Sequence, residues 1–446
     1  MTARRKTTRA CHISIIALRA LLALFLYCYQ STATAAMGNC LNNHGQDHGA
    51  QESLYRTTMN APLHLQNATK AAPATKIRAS ILATALVDAL GGPAEFQARF
   101  SFDIIDSMVP NANFSLPPGV WTDDTSMTLC LAQSLATYRL DDAMPPGGFD
   151  ECHQLAAYTE WWKRGVLSAT GKCFDIGNTI CRALTIYSSN PTKRPLRRIQ
   201  DQLSGEFSSG NGSLMRIVPV GLAYWRDEIQ ARDYARRSSA TTHPNELCKE
   251  ACEVWTGAIC KIMASMTASE GPDITKLDLL VYFASFSYSH PKLRELLALP
   301  SSAPSPPSAA KELEGYYRRY HPLMKLITQC ESEAKDSKLL LYLPQPETLP
   351  SSGYVVDTLI AALYSFLSTN TFEQGAIVAV NMGNDADTLG AVYGGLAGCW
   401  YGTELNVASD TFWSAKVAKW YKSLVKKDII ADVSEALVTF SDGLAK

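Results

Sequence analysis

The chain has 446 residues, 46% apolar and 19% charged. At ~150 residues per domain that allows up to three domains, and the apolar content excludes wholesale disorder. Lysine and arginine number 41 against 42 acids, so the chain lacks the basic excess that polyanion binding requires, and no nucleic-acid partner is expected.

The first 46 residues contain no acid. Arg4, Arg5, Lys6 and Arg9 precede an apolar run from Ile13 to Tyr29, interrupted by Arg19, and Ala33-x-Ala35 offers a small-residue cleavage site. Residues 1–36 therefore read as a secretory signal or short anchor, with an arginine-rich transit peptide as the rival. Any membrane contact is expected through this segment alone. If translation starts at Met37 instead, the chain is cytoplasmic. Met37-Gly38-Asn39-Cys40 hints at acylation, but Asn42 stands where serine or threonine is wanted. Residues 37–75 are polar and poor in aromatics, and are read as a flexible leader.

From Lys76 the pattern changes. Ile77, Ile81, Leu82, Ala85, Leu86, Ala89 and Leu90 follow helical spacing until Gly91-Gly92-Pro93. Further helices are predicted from Asp123 to Tyr138, over Glu246 to Met266, after Gly353, and from near Asp387 to Tyr401. Alternating strand patterns are scarce, so the fold class is all-α: one helical domain over 76–446. A Pro/Ser-rich insertion interrupts it around 300–350. The 12 cysteines include no C-x2-C pair, so a structural zinc module is not expected. Cys248 and Cys252 share a helix face and read as buried small side chains.

Two nucleotide-binding patterns fail on inspection. Gly165 to Lys172 has one residue too many for a P-loop, and Cys173 follows the lysine. Gly210-x-Gly212 has Met215 where a dinucleotide fingerprint needs its third glycine.

Two acidic clusters each open an apolar helix: Trp121-Thr122-Asp123-Asp124-Thr125 and Gly383-Asn384-Asp385-Ala386-Asp387-Thr388. Helix capping is the plain explanation, since such side chains accept the first backbone N–H groups. Capping needs one acid, however, and two crowded carboxylates repel unless a cation intervenes. Hard oxygen ligands suit magnesium, manganese or calcium, and two such clusters meeting in space could hold a pair of ions. Gly390, Gly394, Gly398 and Gly402 recur every four residues in the second helix, implying very close approach of another helix or of a ligand. Gly210-Asn211-Gly212-Ser213 reads either as an ordinary tight turn or as an anion-binding one. It also contains a formal glycosylation sequon, where a glycan would block a pocket. His243 is by default a loop or capping histidine.

Together these motifs resemble the ADP-ribosylglycohydrolases of the dinitrogenase-reductase-activating glycohydrolase type. The matching stretches run in the family's order. They are Asp88 to Phe96, Thr122 to Met127, Tyr158 to Asn178, Gly210 to Arg216, Thr242-His243-Pro244 and Asn381 to Thr388. The chain departs at Val87 and Asn384, where glycines are frequent, and residues 271–350 are unusually long.

The resemblance implies a central metal cleft holding two magnesium ions, with manganese as a substitute. Thr122, Asp123, Asp124, Asp385, Asp387 and Thr388 would be the ligands. Asp123 or Glu95 would orient the water. Phe174, Gly177, Gly210, Asn211, Gly212, Ser213, Met215 and His243 would line the ADP-ribose pocket. The implied partner is an ADP-ribosylated protein or a small-molecule ADP-ribose conjugate, acted on by a monomer. The alternative is a non-catalytic ADP-ribose binder or structural protein on the same fold.

Overall fold

Helices carry the regular structure of the computed structural model, which describes residues 61–141, 144–266, 273–337, 343–405 and 411–445. Among these residues there are seventeen α-helices and no strand longer than an isolated bridge. In chain order they are α1 (Pro73–Gly91), α2 (Asp123–Thr137), α3 (Glu151–Arg164), α4 (Asn178–Ser189), α5 (Pro195–Leu203), α6 (Val218–Tyr224), α7 (Glu228–Ala240), α8 (Glu246–Ser265) and α9 (Lys276–Ser285). There follow α10 (Pro291–Leu297), α11 (Ala310–Tyr320), α12 (Pro322–Ser337), α13 (Val355–Leu367), α14 (Phe372–Val380), α15 (Ala386–Tyr401), α16 (Ala415–Ser423) and α17 (Lys427–Gly443). The all-α expectation holds, and each of the five predicted helices is present within three residues of its expected ends.

The glycine stripe of α15 explains the centre of the molecule. A Cβ at Gly390 would stand 2.7 Å from the Val87 carbonyl oxygen, and one at Gly398 would stand 2.7 Å from that of Ala79. Gly394 faces the Ala83 carbonyl still more closely. As the numbers rise along α15 they fall along α1, so the two helices lie antiparallel with their backbones in contact. Side-chain volume at these positions would force the helices apart, because a packed interior has no slack to absorb a methyl group. The ligand alternative for the stripe is thereby settled in favour of a helix.

This pairing fixes the position of everything that follows. The C-terminal end of α1 meets the N-terminal end of α15, where a Cβ on Gly91 would stand 2.5 Å from the Ala386 carbonyl oxygen. Although α1 and the turn after it are long and apolar enough to cross a membrane, 83% of that window is buried inside the domain.

Two expectations change in detail. Of the described part of the predicted leader, 61–75, residues 61–72 pack onto the domain and 73–75 open α1. Ala68 N–H donates to Ile274 (3.1 Å), Thr69 N–H to Trp400 (3.0 Å), and Leu63 is buried. Their backbone groups find partners there that a free segment would leave to water. The insertion is also helical beyond its exposed Pro/Ser connector. Tyr316 of α11 donates to the Pro304 carbonyl (2.6 Å), and His321 contacts the Leu297 carbonyl (2.7 Å). The expectations for residues 1–36 lie outside the described residues.

Candidate active site

The helix start at Asp123 is capped from outside. Asp88, a lone acid in the apolar run of α1, accepts from the Thr122 N–H (3.0 Å) and the Thr125 N–H (3.0 Å). It also accepts from the hydroxyls of Thr122 (3.0 Å) and Thr125 (2.5 Å). One carboxylate thus takes the Thr125 N–H, the donor that an N-cap side chain at Thr122 would otherwise accept from. Thr122 makes no side-chain cap bond, and neither does Asp385 at the start of α15. At neither N-cap position, Thr122 or Asp385, is capping what the side chain does; both turn instead to other side chains of the acidic clusters and their neighbours.

The clusters meet. Oxygens of Asp88, Asp124 and Asp387 lie within 4.8 Å of one another, and so do oxygens of Glu95, Asp175 and Asp387. Thr122 donates to Asp124 Oδ2 (3.0 Å), and Thr388 approaches the same oxygen from α15 (3.4 Å). Glu95 reaches the cluster on a short strap that follows α1. There Phe96 N–H donates to the Asn384 carbonyl (2.6 Å) and Asn384 N–H to that of Gln97 (2.6 Å). Phe96 and Asn384 both take left-handed backbone angles, with φ of 61° and 57°. Asp175 does the same at φ 59°, and its loop brings Phe174 within 5.6 Å of the Phe114 ring.

Of the remaining predicted residues, Asn211 reaches the cluster directly. Asn211 donates to Asp385 Oδ2 and to Thr358 Oγ1, both at 2.7 Å. A glycan on that nitrogen is incompatible with the fold. Asn211 N–H also pairs with the Gly353 carbonyl (3.0 Å), fastening the Gly210 loop to the segment before α13. Gly177 is exposed at the start of α4, whereas Met215 is buried. Ser213 and His243 lie beneath the loop. Ser213 Oγ accepts from Ser239 (2.8 Å) and Cys252 (3.5 Å), and Cys248 reaches the Gly210 carbonyl (3.5 Å). His243 packs against Gly212 and hydrogen-bonds Thr242 Oγ1 (2.8 Å). Burial, then the nearby Arg216 charge, pushes the His243 pKa down to about 3, so its ring is neutral.

The profile of the ADP-ribosylglycohydrolase family matches residues 69–441. The chain belongs to the ADP-ribosylglycohydrolase family. It is 28% identical over 365 residues to the ADP-ribosylarginine hydrolase Tri1 of Serratia proteamaculans (strain 568), covering 81% of this chain and 78% of the relative. It is 27% identical to the ADP-ribosyl-[dinitrogen reductase] glycohydrolase of Rhodospirillum rubrum, over 73% of this chain and 85% of that one. A solved structure titled ADP-ribosylglycohydrolase-related protein complex superposes with a TM-score of 0.54 at 28% identity, covering 83% of this chain and 99% of that chain.

In this glycohydrolase every acid of the buried cluster is pushed in the same direction. Burial, then repulsion from neighbouring acids (Asp175 for Asp123, Asp88 for Asp124, Glu95 for Asp387), raises all three well above the usual carboxylate range. The same causes lift Glu95 to about 10 and Asp175 to about 7. Asp385 is also raised by burial, against the hydrogen bond from Asn211. Burial lifts Asp88 only to about 6, because its threonine donors favour the anion. Glu95 Oε2, Asp124 Oδ1 and Asp387 Oδ1 are buried without a hydrogen-bond partner among the described residues.

Asp88 and Asp175 lie inside the family motifs, yet the sequence pattern assigns neither a role. An isolated acid amid Ala85, Leu86, Val87, Ala89 and Leu90 is the available signal for Asp88. Asp175 offers none beyond its neighbours, since a left-handed backbone at a non-glycine residue leaves no mark in composition.

Proposed function

We propose that this chain hydrolyses the glycosidic bond between the distal ribose of ADP-ribose and an acceptor, using two divalent cations, magnesium above all. The observation that carries the metal dependence is the set of three unpartnered, buried carboxylate oxygens on Glu95, Asp124 and Asp387. An orphaned buried polar atom costs about 1–3 kcal/mol, and more when charged, so three in one cluster fit a site built for a cation. The donor set, all carboxylate and hydroxyl oxygen, suits magnesium or manganese over softer metals.

Thr122, Asp123, Asp124, Asp385, Asp387 and Thr388 would hold the ions. Bound there, they supply charge neutralisation and Lewis-acid polarisation. The chain supplies the rest. Asp123 from α2 and Glu95 from the strap flank the cluster, and either carboxylate can orient the attacking water and take its proton. Positive charge developing on the ribose ring is favoured by the surrounding acids, as in other glycosidases. The loop at Gly210–Ser213, with Met215 and with His243 behind it, would shape one wall of the ADP-ribose pocket. Phe174 and Gly177 would contribute from the facing loop. ADP-ribosylated proteins or small-molecule ADP-ribose conjugates are the proposed substrates; the names of the two bacterial relatives give ADP-ribosylarginine for one and ADP-ribosyl-[dinitrogen reductase] for the other.

The test is a panel of defined arginine-, serine- and O-acetyl-linked ADP-ribose conjugates incubated with and without magnesium. Release of free ADP-ribose that needs the metal is the expected result. Release unaffected by chelation would remove the cation from the proposal, and no release from any linkage would overturn the activity.

A further inference from the structure

Arg99 lies on the same strap as Glu95 and is almost fully buried, yet its guanidinium bonds to no carboxylate among the described residues. Its donors go to backbone carbonyls from two distant segments. Nε donates to Met382 (3.1 Å), Nη2 to Leu349 (2.7 Å) and Nη1 to Pro344. Nη2 also reaches Ser351 Oγ (3.3 Å). Burial pulls its pKa down to about 10, which leaves it charged at neutral pH.

What these contacts hold matters more than their number. Met382 is three residues before Asp385. Ser351 donates to the Met382 carbonyl (2.9 Å), accepts from Asn384 Nδ2 (3.2 Å), and offers its own carbonyl to the Asp385 N–H (3.1 Å). Arg99 and Ser351 therefore grip the backbone that presents Asp385 and Asp387. On the other side, Phe96 and Gln97 pair with Asn384, so the strap carrying Glu95 is clamped to the same turn. The left-handed angle at Phe96 is strained for a bulky side chain and persists only where surrounding bonds impose it, whereas Asn384 tolerates it. A rigid planar fork with five donors is suited to that task in a way a lysine is not.

We infer that Arg99 is a positioning residue: it locks the Glu95 strap and the Asp385–Asp387 turn into one unit, using the far end of the insertion (residues 344–351) as the anchor. The insertion is then part of the back wall of the cleft, not only its rim. The consequence for metal binding rests on the proposed function, whereas the clamp itself does not.

The experiment compares full-length Arg99→Met and Arg99→Lys with Arg226→Met. Arg226 is a control because it also donates to a backbone carbonyl, that of Ser441 (2.7 Å), and covers the Trp225 ring. The first readout is amide hydrogen exchange without added metal. Peptides spanning 95–99 and 381–387 should exchange at least tenfold faster in Arg99→Met, with Arg99→Lys between it and the parent, while Arg226→Met leaves them unchanged. The second readout is Mn2+ titration by calorimetry, where affinity should fall at least tenfold in Arg99→Met. A third is kinetic: kcat should fall at least tenfold with KM changed less than threefold. Should Arg99→Met fail to fold, Arg99→Lys carries the same comparison. Unaltered exchange of both peptides in a folded Arg99 variant overturns the inference. So does an equal loosening in Arg226→Met, which would show general destabilisation. If the parent binds no Mn2+, the metal proposal fails while the exchange result still decides the clamp.

Discussion

The carboxylate cluster holds two kinds of acid, equally buried and differently furnished. Asp88 accepts four hydrogen bonds from Thr122 and Thr125 and ties α1 to α2. Glu95, Asp124 and Asp387 each keep an oxygen with no partner among the described residues. Burial penalises a charge on either kind, and the difference lies in who compensates for it. For Asp88 the chain supplies the donors, so the acid serves the fold. For the three orphaned oxygens it supplies none, so they are available to a ligand.

Substitutions of the two kinds should therefore separate activity from stability. The largest effect is expected for Asp387→Asn. ADP-ribose release should drop on the order of 1000-fold, about 4 kcal/mol in the barrier, as when a main electrostatic stabiliser is removed. Its metal-free stability should rise, because one member of a mutually repelling set becomes neutral. Asp88→Ala should do the reverse in stability, with a loss of about 3 kcal/mol in denaturant unfolding of the metal-free protein. Three donors, two of them backbone N–H groups, lose their acceptor, while the Thr122 hydroxyl keeps Asp124. A stability loss in Asp387→Asn as large as that in Asp88→Ala would erase the distinction.

Ligand binding sharpens the same contrast. At a magnesium or manganese concentration of 100 times Kd, mass action stabilises the fold by about 2.7 kcal/mol per ion site. Thermal melting should show this gain in the parent and in Gly177→Ala, whose residue lies at the exposed start of α4. It should be largely absent in Asp387→Asn. A divalent-induced shift that survives Asp387→Asn would mean the ions sit elsewhere.

How much of this arrangement is legible in the sequence follows from the range of the interactions. The two acidic motifs and the fourfold glycine spacing are local patterns, and both lead to the right elements: α2 opens at Asp123, and α15 packs its glycines on α1. What stays hidden depends on contacts between remote segments. Asp88 caps a helix other than its own, which a local capping rule cannot anticipate. Arg99 binds mainly carbonyl oxygens, and backbone acceptors have no sequence signature. Asp175 takes a left-handed backbone angle that aspartate tolerates but does not announce. The polar composition of 61–72 points to a free leader because its partners, near Ile274 and Trp400, are more than 200 residues away.

A third buried charge, at the opposite end of α1, tests whether burial alone suffices to create a site. Lys76 is fully enclosed and donates to the Trp400 carbonyl (3.0 Å). Burial lowers its pKa from 10.5 to about 8. The folded state thus binds this proton less tightly than the unfolded chain. Below pH 8 both states are charged and the full penalty stands, about 3 kcal/mol for a shift of this size. As pH rises from 8 to 10.5 the folded form loses its proton first and the penalty fades. Lys76→Met removes the charge but orphans the Trp400 carbonyl, at about 1 kcal/mol. Its net effect should be a stabilisation of about 1–2 kcal/mol at pH 7 that shrinks and changes sign by pH 10.5. Parallel urea unfolding of the two proteins at those pH values measures it. A constant difference would show that Lys76 is solvated well enough to escape the penalty, and that enclosure by α1 and α15 is looser at this end than at the cleft.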